Sequence, residues 1–312
     1  MRFNALKILV GTVYAILAAE LLFRVLAPVP MTPRNVAAAS YGVRSNMPNK
    51  EYVHTTAEYK IRIRTNSKGV RAEREIPYPK PPGIYRIVLL GDSFGMGYGV
   101  DDDDMFSSRM VYHLREKFGI NAEVINLSTS GHGNAEELIA LRHEGFKYDP
   151  DLVLLGWHYT DLDDNVRSNL FKLTESGTLT REAQEYLPGV KEREFLARFP
   201  IYEYLAEHSQ LYNFSRNWAA VKVKRWLAKA RFHTSLKAKE SQKSSVQISK
   251  ISGSKKRYKR QLSLAILSQI QLECRERGSE FLILDIPFRK SKIDFVSKFP
   301  LEGDYDSQHD FN

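Results

Sequence analysis

The sequence predicts a three-layer α/β domain built on a parallel sheet. Between residues 85 and 157, apolar runs of strand length alternate with stretches of helical periodicity, and the same alternation returns near the carboxyl end. Strands separated by helices pair in parallel through right-handed crossovers, so that helices cover both faces of the sheet. A chain of 312 residues, 43% of them hydrophobic, is long enough to bury such a core.

The elements of this domain follow from the hydrophobic pattern. Short continuous apolar runs are typical of strands buried on both faces, and longer runs with a period near 3.6 residues are typical of helices. Strands are predicted at 85–90, 122–127, 151–157 and 281–287, and helices at about 105–118, 134–146 and 258–277.

Residues 31–84 form a lead-in to the domain, which we place at 85–312. They hold scattered prolines, and the run EYKIRIRTNSKGVR (58–71) alternates like an exposed strand that ends in a turn. In the sheet itself, ligands are expected beyond the carboxyl ends of the strands, where Ser93, Gly131 and Thr160 fall.

Residues 1–30 predict a membrane anchor. The run from residue 8 to residue 30 is close to the roughly 20 apolar residues that a spanning helix needs. Only Glu20 and Arg24 interrupt it, and because they are four apart they share one face of a helix and can pair. We therefore expect a single-pass protein of the cell membrane.

Two alternatives to the anchor stay open. One is a cleaved signal peptide, with a small-residue site at AAAS (37–40) that lies far beyond the apolar run, and the other is a buried or amphipathic helix of a soluble protein. Arg2 and Lys7 flank the short amino end, which by the positive-inside tendency places that end in the cytoplasm and the domain in the periplasm.

The high net charge belongs to one basic segment, residues 211–260. It holds 15 lysines and arginines against one acid, a local charge of +14 that exceeds the whole chain's +9 and leaves the remainder at −5. Its first part mixes aromatic and basic residues like a helix on anionic lipid, and its second part is polar and loop-like. No nucleic-acid motif accompanies it, so we expect a membrane surface or a solvated insertion.

No cofactor or metal is expected. The single cysteine, Cys274, rules out an internal disulfide and a multi-cysteine zinc site. The run DDDD (101–104) lacks the spaced ligands of a calcium loop, and acidic residues at the start of a helix complement its dipole.

A serine follows the first predicted strand, in YRIVLLGDSFGMGYGV (85–100). A serine hydroxyl attacks only when a base removes its proton and fixed donors receive the developing charge. Taken alone, GDS is also an ordinary turn and helix cap. Near the carboxyl end, however, Asp306 lies three residues before His309, a spacing that lets one turn bring the carboxylate to the imidazole.

Four stretches together resemble the SGNH hydrolases, also called GDSL-type esterases, in particular the bacterial membrane-anchored members. They are GVRAEREIPYPKPPGIYRIVLLGDSFGMGYGVDDDDMF (69–106), NLSTSGHGN (126–134), GWHYTDLDDN (156–165) and DSQH (306–309). The resemblance implies a flavodoxin-like α/β/α fold. It also implies ester hydrolysis or acyl transfer without a metal.

The resemblance assigns roles to residues. Ser93 is then the nucleophile, His309 the base and Asp306 the acid that orients it. The backbone N–H of Gly131 joins that of Ser93 in the oxyanion hole. His132 and His158 are further candidates to line the pocket, or simply hydrogen-bonded turn residues.

Two departures from the family bear on activity. Thr160 stands where the family has the asparagine that completes the oxyanion hole, and the chain stops at Asn312 where the family usually continues into a helix, which suggests a truncated product. We therefore expect a serine esterase or O-acyltransferase for an acylated envelope component, a small molecule or a carbohydrate. The alternative is a catalytically inactive envelope binding or assembly protein with the same fold.

Overall fold

The computed structural model describes residues 2–26, 28–31, 33–56, 59–219, 222 and 245–286. These residues fall into two compact units. The anchor unit draws on residues 1–35, 52–63 and 192–251, and the sheet unit on 36–51, 64–191 and 252–312.

The described elements follow one another in this order. The strands are β1 Val36–Ala38, β2 Arg44–Asn46, β3 Glu51–Thr55, β4 Lys60–Arg64, β5 Tyr85–Leu90, β6 Ala122–Asn126, β7 Leu152–Trp157, β8 Phe171–Leu173, β9 Leu179–Arg181 and β10 Glu280–Asp285. The helices are α1 Arg2–Leu26, α2 Ser93–Met96, α3 Phe106–Phe118, α4 Asn134–His143, α5 Asp161–Ser168, α6 Val190–Leu196, α7 Pro200–His208 and α8 Ser245–Glu276. Residues 210–219 are also helical.

The predicted parallel sheet is confirmed. Its described strands lie in the order β10-β7-β5-β6, and every neighbouring pair is parallel. Counted from β5 along the chain, this is the order 2-1-3-4 of a doubly wound, flavodoxin-like sheet. The strand order reverses between β5 and β7, and ligands of such sheets bind beyond the carboxyl ends at that point.

Helices cover both faces of the sheet, as the three-layer prediction requires. On one face, Ile87 and Leu89 of β5 pack with Leu114 of α3. On the other face, Val88 and Leu90 belong to the core cluster that includes residues of α4 and α8. The two sets alternate along β5 because successive side chains of a strand point to opposite faces.

The lead-in contributes to this core. Val43, Val70 and Ile76 are fully buried in the same cluster as the central strands. The alternating run predicted as a strand is β4, where Ile61 and Ile63 are buried and their neighbours are more exposed.

One helix begins earlier than the sequence indicates. The prediction places it at about 258, after a polar loop, whereas α8 already begins at Ser245. Residues 245–257 contain no proline that would end the helix, and although Gly253 and four serines lower their helix propensity, the helix continues toward the amino end from its packed half, which begins at Leu262. The loop-like interpretation of this stretch is therefore wrong for residues 245–259.

Within the described residues, one helix is long and apolar enough to cross a membrane. It covers Leu6–Leu26, with a mean hydropathy of 1.9, and none of it is buried. Length and composition fit either a membrane span or a signal sequence, but its exposure does not fit the core helix of a soluble protein.

Candidate active site

Ser93 opens a single helical turn directly beyond β5. The carboxylate of Asp92 caps this turn by accepting the N–H of Phe94 at 2.8 Å, and Gly97, with φ of +76°, ends it. Ser93 itself is half-buried. The first N–H groups of a helix have no partner within the helix, so the Ser93 N–H belongs to a group of backbone donors at the strand end.

A glycine lets this turn approach the loop after β6. A Cβ on Gly95 would overlap Ser128 Oγ and lie 3.0 Å from Ser128 Cβ, so a larger residue here would displace Ser128. The amide of Asn126 donates to the Gly95 carbonyl at 2.8 Å. The turn that carries Ser93 is therefore joined to the loop that continues to Gly131.

Arg71 of the lead-in clamps the chain after Ser93. Its guanidinium is buried and donates to the carbonyls of Met96 (2.9 Å), Gly97 (2.7 Å) and Val100 (2.9 Å). It also pairs with the Asp102 carboxylate at 2.6 Å, which gives the first part of the DDDD run a structural partner.

Gly131 lies beyond β6 in a left-handed conformation, with φ of +77°. Arg44 donates to its carbonyl at 2.5 Å, and a Cβ at this position would approach the same guanidinium to 2.9 Å. Next to it, His132 is buried and its Nε2 lies 2.9 Å from the Arg44 carbonyl. Burial, and then the Arg44 charge, lower the pKa of His132 to about 3, so it is a neutral structural residue.

Thr160 precedes α5, in the loop beyond β7. Its hydroxyl lies 2.8 Å from Nδ1 of His158, and the His158 ring lies 5.1 Å from the ring of Phe94, the residue after Ser93. His158 thus connects Thr160 with the Ser93 turn at the point where the strand order reverses.

Two carboxylates at the neighbouring strand ends interact electrostatically with His158. Burial raises the pKa of Asp92, and the Phe94 N–H and the His158 charge partly offset this effect. Burial likewise raises the pKa of Asp285, at the end of β10, and His158 again opposes the shift. Neither Asp92 nor Asp285 is among the predicted site residues, although their positions at the carboxyl ends of apolar strands were the available signal.

A network of buried acidic side chains is hydrogen-bonded to the loop that contains Thr160. Asn134 donates to Glu137 at 3.0 Å and to Asp161 at 3.2 Å, and Asp161 also accepts the His158 N–H at 2.9 Å. Burial raises the pKa of Glu136 to about 7 and of Glu137 to about 8, and that of Asp161 well above its ordinary value.

This network predicts a loss of stability at alkaline pH. A carboxyl group with a raised pKa in the folded state stabilises the fold fully below its ordinary pKa of 4.5, and this contribution is lost as the pH rises through about 7 for Glu136 and about 8 for Glu137. We expect the free energy of unfolding to fall by more than about 1 kcal/mol between pH 6.5 and 9. His132 opposes this fall only near pH 6.5, where the unfolded state, with an ordinary histidine pKa of 6.5, is still partly protonated and the buried imidazole is neutral.

The measurement is urea unfolding of the full chain across this pH range. Glu137→Gln should make the free energy of unfolding depend less on pH. The glutamine side-chain oxygen can still accept the hydrogen bond from Asn134, but the amide does not titrate. The matched control, Glu116→Gln, alters an exposed residue of α3 and should keep the wild-type slope. An unchanged slope in Glu137→Gln would show that this carboxyl does not titrate with folding.

The structure thus brings three of the five predicted site residues to one edge of the sheet. Ser93, Gly131 and Thr160 lie on loops that contact one another beyond β5, β6 and β7. Asp306 and His309 lie outside the described residues, so the acid and the base stay predictions. In the described part of the chain, no group of His, Cys, Asp and Glu side chains is arranged to hold a metal ion.

Comparison with solved structures finds esterases. The chain is similar to AlinE4, an SGNH-hydrolase family esterase, with 30% identity over 27% of this chain and 44% of that one. Two variants of the same esterase match with 28% and 27% identity, each over 28% of this chain and 46% of theirs. The TM-score is 0.23 in all three cases, and the match spans less than half the length of these esterases. No protein-family model matches the chain, and no curated protein matches it.

Proposed function

We propose that the protein is a membrane-anchored serine esterase or O-acyltransferase that acts on an acylated component of the cell envelope, a small molecule or a carbohydrate. The amino end is in the cytoplasm and the catalytic domain in the periplasm. The observation that carries this proposal is the position of Ser93. It opens a helical turn at the carboxyl end of β5, beside the point where the strand order reverses.

The proposed reaction has two steps. In the first, His309 takes the proton of Ser93 Oγ as this oxygen attacks the ester carbonyl, Asp306 stabilises the imidazolium, and the alcohol leaves with that proton. In the second, water or an acceptor hydroxyl attacks the acyl-serine, its proton passes through His309 back to Ser93, and the acid or the new ester is released. Backbone N–H groups of Ser93 and Gly131 receive the negative charge on the attacked oxygen in both steps.

One observation favours the alternative of an inactive binding or assembly protein. The hydroxyl of Thr160, which stands at the expected third donor position, already lies in hydrogen-bond distance of His158 Nδ1. When Thr160 donates its proton to that nitrogen, it has none to donate to an oxyanion, and turnover is then low.

A fluorophosphonate probe separates the two functions. We expect the full chain in detergent to form a covalent adduct at Ser93, identified by mass spectrometry of the labelled peptide. Ser93→Ala should abolish the adduct, and Ser176→Ala, in the turn between β8 and β9, should keep it. A folded wild-type protein that is not labelled would favour the binding or assembly protein.

Thr160→Asn tests the oxyanion hole. An asparagine amide reaches farther than a threonine hydroxyl, and loss of one such donor typically costs about 100 to 1000-fold in turnover. We therefore expect Thr160→Asn to raise kcat on p-nitrophenyl acetate by about tenfold or more, with little change in KM, because the donor acts where charge develops in the transition state.

The control for this gain is Ser93→Ala in the Thr160→Asn background, which must remove it. A rate that is unchanged or lower in a folded Thr160→Asn protein would mean that Thr160 is not at the oxyanion hole, or that the hole does not limit turnover.

A further inference from the structure

The carboxyl end of α1 is fixed to the helical segment of residues 200–219 within the anchor unit. The Glu20 carboxylate accepts the Ser209 hydroxyl at 2.8 Å and the N–H groups of Gln210 and Leu211 at 2.9 and 3.0 Å. Glu20 thereby caps the helix that begins at residue 210. Arg24 pairs with Glu20 at 2.8 Å and donates to the His208 carbonyl at 2.5 Å.

Two further contacts strengthen this junction, one within α1 and one just beyond its end. The rings of Phe23 and Phe214 lie 4.4 Å apart, and the side chain of Gln210 accepts the N–H of Val29 at 2.7 Å. The segment is therefore attached to α1 along a full turn and not at a single point.

The depth of Glu20 in a bilayer follows from helix geometry. At about 1.5 Å per residue, the 21 residues of Leu6–Leu26 span about 31 Å, close to the thickness of a hydrocarbon core of about 30 Å. Glu20 lies six residues before Leu26, about 9 Å inside that boundary. The residues that cap Glu20 must then lie at the level of the lipid head groups or deeper.

This segment and the residues that flank it carry exposed apolar and aromatic side chains that suit this depth. Their exposed fractions are 56% for Phe195, 51% for Phe199, 67% for Ile201, 63% for Tyr204 and 58% for Trp218. Basic groups lie over two of these rings, Arg198 over Phe195 at 5.8 Å and Lys222 over Trp218 at 5.3 Å. Tyrosine and tryptophan beside arginine and lysine are typical of the membrane–water interface.

We propose that residues 195–218, which we name the membrane collar, lie in the interface of the lipid bilayer where α1 leaves it. The partner is the bilayer itself, with head groups contacting the basic residues and acyl chains contacting the exposed apolar side chains. This inference rests on the proposed membrane anchoring, and it assigns lipid contact to an apolar surface that begins before the basic segment of residues 211–260.

The test is the depth of single labels in vesicles. The fluorophore NBD is attached to a cysteine at Ile201, Trp218, Val13 of α1, or Phe118 of α3, which is 70% exposed in the sheet unit. The full chain is reconstituted in vesicles of phosphatidylcholine and phosphatidylglycerol. The wild type controls for background, because Cys274 is buried and burial raises the pKa of its thiol to about 12.

We expect a lipid with a shallow doxyl group to quench the labels at 201 and 218, and aqueous iodide to quench only the label at 118. If iodide quenches 201 and 218 as well as 118, while doxyl lipid quenches the label at 13, the collar is wrong and the anchor stands. If neither agent quenches 201 and 218, protein covers this surface and the collar is again wrong. If doxyl lipid does not quench the label at 13, the proposed membrane anchoring is wrong, and the membrane collar, which rests on it, is wrong as well.

Discussion

Replacing Ser93 by alanine is expected to lower kcat on p-nitrophenyl acetate about 10⁴-fold or more in the full chain. Without the hydroxyl no acyl-serine forms, and only the fixed donors around the substrate remain to stabilise a direct attack by water. The measurement is initial-rate hydrolysis in detergent by purified wild-type and variant proteins with the same thermal unfolding midpoint.

Three companion variants make this result specific. His309→Ala should cause a loss of similar size, because residues that act as one unit are not additive, and Ser93→Ala with His309→Ala should be no slower than either alone. Ser176→Ala should retain the wild-type rate. A Ser93→Ala protein with more than about a tenth of wild-type activity would contradict the covalent mechanism.

Replacing Arg71 by methionine is expected to lower the free energy of unfolding by about 3–5 kcal/mol. The buried guanidinium holds three carbonyl groups and the Asp102 carboxylate, and its loss leaves all four without this partner. Urea unfolding of the full chain measures the change. Arg109→Met, on the exposed side of α3, is the matched control and should stay within about 0.5 kcal/mol of the wild type.

Asp102→Asn distinguishes the ion pair from the carbonyl clamp. Because Asp102 is partly exposed, removing its charge should cost much less than removing Arg71. If Arg71→Met lowered the free energy of unfolding no more than Asp102→Asn does, the hydrogen bonds from the Arg71 guanidinium would not be what holds the chain after Ser93.

The fold was largely predictable because its strands are marked by local patterns. IVLL (87–90) and LVLLGW (152–157) are continuous apolar runs, and the structure places them in β5 and β7, in the middle of the described sheet. The position of Ser93 at a strand end followed from the same runs. The start of α8 was not predicted because its first residues have no helical hydrophobic pattern of their own. They are helical because they continue the helix whose second half is packed in the core.

The supports of the candidate site were not predictable in this way. Arg71 is 25 residues from Met96 in sequence, and nothing local in GVRAER indicates that its side chain is buried against the chain after Ser93. Asp285 ends β10 and His158 directly follows β7, and these strands, far apart in sequence, meet only because β10 pairs with β7. Thr160, in contrast, was located by resemblance, and its contact with His158 needed the structure.

The pairing of β10 with β7 also bears on how the chain assembles. Leu152 is aligned with Glu280, so one side of β7 acquires its partner only after the residues between them have been made and arranged. Until then, β7 has unpaired backbone groups and an apolar flank, which is the kind of strand edge that other chains can extend. Such a non-local pairing raises the contact order and slows folding. The entropy of closing a long loop is lost before the stabilising contacts between the two strands have formed. Among the described strands, β10 thus both places Asp285 beside the candidate site and covers an edge of β7 that is prone to aggregation.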